Sequence, residues 1–362
     1  MKKKHIIPAI FGGIIGGIAG YTGAKFFFAD NGNKEMIIPF LFAMVISYIL
    51  HIIIHEGGHL VFGLLSGYEF VSFRVGSLIL YKSNGKYAFG KYKLAGTGGQ
   101  CLMAPPDLVD GMIPYRLYNM GGAIMNLLFS IPTIVILSTA SPAGVVKIIC
   151  MAWIFVGLFA AATNGIPMSV GQVDNDGKNA ISLGKNEKAL RAFWLQLKVN
   201  QMQVEGKSLM QMPEEWFAYP EKEDMQNPMT AVLGALYCNR LMEERDYESV
   251  SSQIEEMIRS AKGMLGVHKI LLQIDQVFCE IMSNQNEKVL GYMKDKQIQS
   301  FMKAMKNYPA ILRTQYAYSL HIEKDSAKAE KLKEQFEKIT KTHPIQGELI
   351  AEKQYILDCK NK

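Results

Sequence analysis

His55-Glu56-Gly57-Gly58-His59 is the densest run of chemistry-bearing side chains in the 362 residues. On a helix, residues four apart share a face, so His55 and His59 can present imidazole nitrogens to one metal ion. Glu56, one position along, points to the side of that pair. There a carboxylate can take a proton from a zinc-bound water without being a ligand itself. His51 continues the same face one turn earlier. Three ligands on one straight helix would spread over about 12 Å of rise, too far for a single tetrahedral site. His51 therefore reads as lining a cavity.

The run sits inside Ile37–Leu65, which otherwise reads as hydrocarbon-facing. An ionisable residue at that depth costs at least ~2.5–3.5 kcal/mol on insertion scales, so it needs a functional or pairing reason. Counted from Leu65, His59 and His55 lie about 9 and 15 Å inside at 1.5 Å per residue. A metal there is below one membrane surface but short of the bilayer centre, and water must reach it through a polar cavity. The competing reading is a polar inward face of a helix bundle, with histidines satisfied by backbone or water.

Four apolar stretches approach the ~20 residues needed to cross a bilayer: Ile6–Phe28, Ile37–Leu65, Tyr118–Leu137 and Val145–Ala162. The first follows Lys2, Lys3 and Lys4. Its run is longer than a usual signal-peptide core, and Gly12/Gly16, Gly13/Gly17 and Gly16/Gly20 give the four-residue spacing that lets helix backbones approach in lipid. It reads as a retained span. Lys and Arg concentrate at the N-terminus and between the second and third stretches, with Arg74, Lys82, Lys86, Lys91, Lys93 and Arg116. That bias places the N-terminus, the 66–117 segment and everything after the fourth stretch in the cytoplasm. Residues 1–177 carry 12 Lys/Arg and 8 Asp/Glu, and residues 178–362 carry 27 and 25. The expectation is an α-helical multi-pass protein of the cell membrane: an N-terminal span and external loop (1–36), a core (37–177), and a cytoplasmic all-α domain (178–362). Neither half is basic enough to suggest a nucleic-acid partner. Cys101, Cys150, Cys238, Cys279 and Cys359 form no CxxC pair and read as buried thiols.

Two helix histidines leave a tetrahedral zinc one protein ligand short, besides water. The candidate acids are Glu69, Asp107, Asp110, Asp174 and Asp176, the last two in the stretch Asn164–Gly177. HExxH on an apolar span, followed much later by Asn164-Gly165-Ile166-Pro167 and then Asp176-Gly177 at the end of another span, resembles the site-2 protease family of intramembrane zinc metallopeptidases. The match covers roughly residues 37–177. It implies Asp176 as third zinc ligand. Gly122-Ala123-Ile124-Met125-Asn126 resembles the family's glycine-then-asparagine motif, which implies that Asn126 helps hold the substrate backbone or a developing oxyanion; interhelical hydrogen bonding is the structural alternative. The chain departs from the family in having more residues between the proline and the Asp-Gly pair, which leaves room for Asp174 to compete with Asp176. An EF-hand reading fails, because position one would be Gln172 and position twelve Leu183.

The implied activity is zinc-assisted hydrolysis of peptide bonds in a transmembrane or membrane-anchored substrate, with Glu56 as general base. Val71–Lys82 and Lys86–Leu94, joined by Ser83-Asn84-Gly85, read as a hairpin similar to the family's membrane-associated β-sheet. Its edge could pair with an unwound substrate, or the hairpin could simply cap the cytoplasmic mouth. Gly96-Thr97-Gly98-Gly99 lacks the rest of a phosphate loop and reads as a flexible connection. In the C-terminal half, Leu233/Leu236/Tyr237 and Val250/Ile254/Met257/Ile258 read as helix faces broken near Asp246. Leu312/Tyr316/Leu320 and Leu332/Phe336/Ile339 read the same way, broken near Asp325. Such pairs vaguely resemble tetratricopeptide repeats, without a clean period, and imply a protein partner or a gate. Two other readings stand beside the site-2 type. One is a catalytically idle scaffold with structural zinc, for which an intact Glu56 has no use. The other is a membrane HExxH protease whose third ligand is a glutamate on a later helix.

Overall fold

The computed structural model describes residues 34–93, 97–170 and 172–362. The expected span Ile6–Phe28 lies outside the described residues. Three helices are long and apolar enough to cross a membrane: α1 (Ile37–Leu65), α2 (Tyr115–Thr139) and α3 (Gly144–Gly165). They cover the second, third and fourth expected stretches and extend the last two by a few residues at each end.

These helices are apolar outside, and most of their buried residues are polar or small. The buried face of α1 is Ala43, Ser47, His51, Gly58, His59 and Gly63, together with Glu56, while Leu41, Phe42, Val45 and Ile49 are exposed. Lipid tails are as apolar as leucine, so spans associate through close packing and hydrogen bonds rather than through apolar burial. The packing is closest between α1 and α2. A Cβ on Gly58 would overlap the carbonyl of Gly121, and one on Gly121 would overlap that of Gly58. Glycine at both positions is what lets the two backbones touch.

After α1 the chain turns at Ser66-Gly67 into β1 (Glu69–Val75), which pairs antiparallel with β4 (Gly99–Ala104), Phe73 opposite Cys101. The stretch expected as one strand, Val71–Lys82, is two. It breaks at Gly76, whose φ of 59° is costly for other residues, and resumes as β2 (Leu78–Ser83). β2 and β3 (Lys86–Lys91) form the expected hairpin, with Asn84 and Gly85 at φ 50° and 76°. Positive φ at both central residues suits the right-handed twist of the flanking strands. β4 was not expected, since Gly96–Gly99 read as a flexible connection. Its run Gly-Gln-Cys-Leu-Met-Ala has no alternation of its own and becomes a strand by pairing with β1.

The described residues fall into two compact units. One contains α1, β1 and the segment Gly98–Glu187; the other contains Gly76–Thr97 and Lys188–Lys362. The boundary thus lies ten residues beyond the expected 177/178 division, because the Gly184 amide donates to the Tyr115 hydroxyl at 3.0 Å and ties that segment to α2. The β2–β3 hairpin falls in the helical unit, where Tyr92 packs edge-on against His343 at 5.6 Å.

In the helical unit, α6 (Pro228–Glu243) and α7 (Tyr247–Ser260) form one helix pair, and α11 (Pro309–His321) and α12 (Ser326–Thr340) another. α8 (Gly266–Met282) and the last helix, α13 (Gln346–Asn361), share their core, which includes Val250, Ile254, Met257, Phe278, Leu312, Tyr316 and Phe336. The breaks expected near Asp246 and Asp325 are helix caps: the two carboxylates accept from the amides of Ser249 and Lys328 at 3.2 and 2.9 Å. Such caps contribute about 0.5–2 kcal/mol each.

A Gly58→Ala substitution is expected to force α1 and α2 apart and to lower the thermal midpoint of the detergent-solubilised protein. Gly57→Ala, where a Cβ meets nothing within 4 Å, should leave it unchanged or slightly raised; differential scanning fluorimetry reads both.

Candidate metal centre

His55 and His59 lie one turn apart on α1, and their Nε2 atoms are 3.2 Å from each other. Asp176 Oδ2 lies 3.1 Å from His55 Nε2 and 3.4 Å from His59 Nε2. His59 Nδ1 is 2.7 Å from the carbonyl oxygen of Tyr118. A carbonyl only accepts, so Nδ1 donates, and in the neutral ring Nε2 carries the lone pair. Two imidazole nitrogens and a carboxylate oxygen thus converge. A single proton can bridge one pair of these atoms; a cation satisfies all three. Tetrahedral zinc with bonds of about 2.0–2.2 Å sets its ligand atoms about 3.3 Å apart, which matches the observed triangle. Among the described residues this is the one group of three His, Cys, Asp or Glu side chains that could hold a metal ion.

Delivering Asp176 from so far along the chain takes a dedicated loop. α3 ends at Gly165, and the chain makes a two-stranded ribbon, β5 (Ser169–Val170) and β6 (Val173–Asp174), before α4 (Asp176–Ser182) begins. The Asn175 amide returns to Met168 O at 3.1 Å. The residues that make the proline-to-Asp-Gly spacing long are therefore looped out. Asn175 organises the crossing: its Oδ1 accepts from the amides of Met168 and Lys178, and its Nδ2 donates to the carbonyls of Thr163 and Ile166. Gly177 follows because a Cβ there would overlap the Gly165 carbonyl. Asp174 is engaged elsewhere, with Lys178 Nζ at 2.8 Å and Ser169 Oγ at 2.6 Å.

Asn126 is fully buried, with Oδ1 3.0 Å from His51 Nδ1 and Nδ2 3.2 Å from His55 Nδ1. Both ends of its amide are thus occupied on the side of His55 away from Asp176. His51 is 1% exposed and packs on the Trp153 ring at 4.4 Å between centroids. Gly122, from the same motif as Asn126, lies against the His55 ring, which a Cβ would strike. The glycines and the asparagine therefore shape one wall of His55.

Glu56 is 9% exposed and lies beside the donor triangle without belonging to it. Gly99, at the start of β4, lies on it: a Cβ there would stand 2.7 Å from Glu56 Cγ and Oε1. Buried Arg74 donates to Gly99 O at 3.3 Å, and the Tyr118 hydroxyl donates to Cys101 O at 3.0 Å, so β4 is held against this part of α1. Sequence reasoning missed Tyr118, Gly99 and Asn175. A backbone acceptor has no signature. The Gly-Thr-Gly-Gly run and the Val-Asp-Asn-Asp-Gly stretch were legible only as turn-forming composition. Comparison with protein-family models, curated proteins and solved structures gives no match.

Asp176→Ala is expected to abolish stoichiometric transition-metal binding by the purified protein, and Asp174→Ala to preserve it, as read by elemental analysis after reconstitution. Gly122→Ala should also weaken binding, because it displaces a ligand ring without removing a ligand.

Proposed function

We propose that this chain is an intramembrane zinc metallopeptidase of the site-2 protease type, cutting peptide bonds of membrane-embedded or membrane-anchored substrates. The observation that carries this reading is a buried glutamate beside the three-donor triangle but outside it. A structural metal site has no use for such a group; a hydrolase does. Three apolar helices around the site support a location in the membrane. The bias of Lys and Arg supports a cytoplasmic N-terminus and C-terminal domain.

His55, His59 and Asp176 would hold the metal. Bound there, zinc supplies a Lewis acid that activates water and polarises a carbonyl. Glu56 accepts the proton of the attacking water and delivers it to the leaving amine. A ligand imidazole that binds through Nε2 carries its hydrogen on Nδ1. Asn126 then turns its carbonyl oxygen to His55 and its NH2 to His51 Nδ1; the two ends of an amide are told apart only by this accounting. In that orientation Asn126 fixes the ring plane and tautomer of His55. His59 has the same service from the Tyr118 carbonyl.

A helical substrate shields its carbonyls with its own hydrogen bonds, so it must be extended before it is cut. β4 pairs with β1 on one side, stands at the edge of its sheet and begins at Gly99 against Glu56. A substrate segment that displaced the Tyr118 hydroxyl from Cys101 O and added to that edge would be extended next to the general base. The absence of a Cβ at Gly99 is what lets Glu56 lie against this strand.

Glu56→Gln is expected to reduce peptide hydrolysis at least ~100-fold, the lower end of what a general base contributes, with metal content unchanged. Proteomics of membrane-retained fragments in cells carrying wild type or Glu56→Gln measures the first, and elemental analysis the second. Cleavage that survives at the wild-type rate overturns the assignment.

A further inference from the structure

Asn126 is shared between two imidazoles, and only one of them belongs to the donor triangle. Its side chain lies 3.0 Å from His51 Nδ1 at one end of the amide and 3.2 Å from His55 Nδ1 at the other. A primary amide has one accepting end and one donating end, and each nitrogen of a neutral imidazole either donates or accepts. The two contacts therefore cannot be alike. Where His55 Nδ1 carries hydrogen, His51 Nδ1 is bare, and the reverse. One turn apart on α1, His51 and His55 are locked into opposite tautomers by the side chain between them.

Shape does not choose between the two arrangements. Turning the amide end for end leaves its outline unchanged, so packing cannot tell them apart. Asn126 is 0% exposed, so bulk water does not substitute for either partner. The Ser130 hydroxyl donates at 2.7 Å to the backbone carbonyl of Asn126 and leaves its side chain free to turn. His55 by itself is no guide, because its Nδ1 can pair with either end of the amide. The second imidazole is what decides. His51 is held from α3: its ring is tilted on that of Trp153, and a Cβ on Gly157 would stand 2.4 Å from its Cε1. Its Nε2 has no hydrogen-bond partner, so its tautomer is set at Nδ1.

We propose that His51 is a positioning residue for the metal centre. By accepting the Asn126 NH2 at Nδ1 it turns the amide oxygen towards His55 Nδ1, and so leaves His55 Nε2 bare for a metal. The assignment rests on the metal-binding part of the function proposed above and on nothing about substrate. It also gives a reason for a histidine at the third polar position of an apolar helix, where an idle one is costly.

The test compares His51→Asn, His51→Phe, Asn126→Asp and the double variant His51→Phe/Asn126→Asp, each as the full chain in detergent. Asparagine carries Oδ1 where histidine carries Nδ1 and can accept in its place. Phenylalanine keeps a ring on Trp153 but has no acceptor. A carboxylate at position 126 accepts at both ends and needs no orienting partner. Zinc affinity by chelator competition is expected to fall about tenfold or more in His51→Phe, the lower end of what partners of a ligand histidine contribute. His51→Asn should stay near wild type, and adding His51→Phe to Asn126→Asp should cost nothing further. In the zinc-loaded wild type labelled with 15N-histidine, long-range proton–nitrogen correlation should show His51, assigned by its absence from His51→Asn, with hydrogen on Nε2 and a bare Nδ1. A mere packing role predicts that Phe serves at least as well as Asn and that residue 126 is immaterial. Wild-type protein that binds no zinc overturns this assignment together with the metallopeptidase reading. Zinc binding by the wild type that His51→Phe leaves unchanged, or that Asn and Phe weaken equally, overturns the assignment alone, as does hydrogen on His51 Nδ1. Should the Asn126→Asp proteins fail to fold, the tautomer of His51 in the wild type decides.

Discussion

Placing a carboxylate and imidazoles inside an apolar helix is the constraint from which the rest of the first unit follows. Each such group costs several kcal/mol unless its polar atoms find partners. The structure meets that cost residue by residue. His59 donates to Tyr118 O, His55 and His51 share the Asn126 amide, and both ring nitrogens facing inward meet Asp176. Those partners come from two further helices, α2 and α4, and must all lie within hydrogen-bond distance of α1 at once. Ordinary side chains between the helices would hold them too far apart. Hence the glycines: Gly58 on Gly121 brings backbone to backbone, Gly122 admits the His55 ring, Gly157 admits His51 and Ser130, and Gly177 seats α4 on the end of α3.

The same economy explains how a carboxylate about 120 residues from the histidines reaches them. Asn175 satisfies two amides and two carbonyls in an irregular stretch next to the apolar helices. Backbone there that is neither helix nor sheet needs partners of this kind. With the crossing so fixed, Asp176 opens α4 and points at the histidines, while Asp174, two residues earlier, is turned towards Lys178. The choice between two nearby aspartates is thus made by where a helix starts.

The second unit handles buried charge differently. Its core is apolar and drawn from most of its helices, but Arg313, Asp275 and Glu352 are enclosed within it. Aromatic faces on Phe278 and Tyr355 share the guanidinium with the two carboxylates. Buried ion pairs are weak contributors to stability, and this one leaves an acceptor without a donor.

Amino-acid order alone determined the three long apolar helices, the helix on which the two histidines meet, the β2–β3 turn and the all-α character of the C-terminal half. All of these are local: they depend on apolar run length, on a repeat of 3.6 residues, or on residues that tolerate positive φ. Asp176 and Asn126 could be named from the resemblance but not placed. Tertiary structure decided that Asp176 rather than Asp174 faces the histidines, that Asn126 bridges His51 and His55, and that Gly99 and Tyr118 belong to the site. It also decided that the hairpin packs with the helical unit. Each of these is a contact between residues distant in sequence, set by how closely helices approach and where loops return, and neither quantity is written in any local pattern.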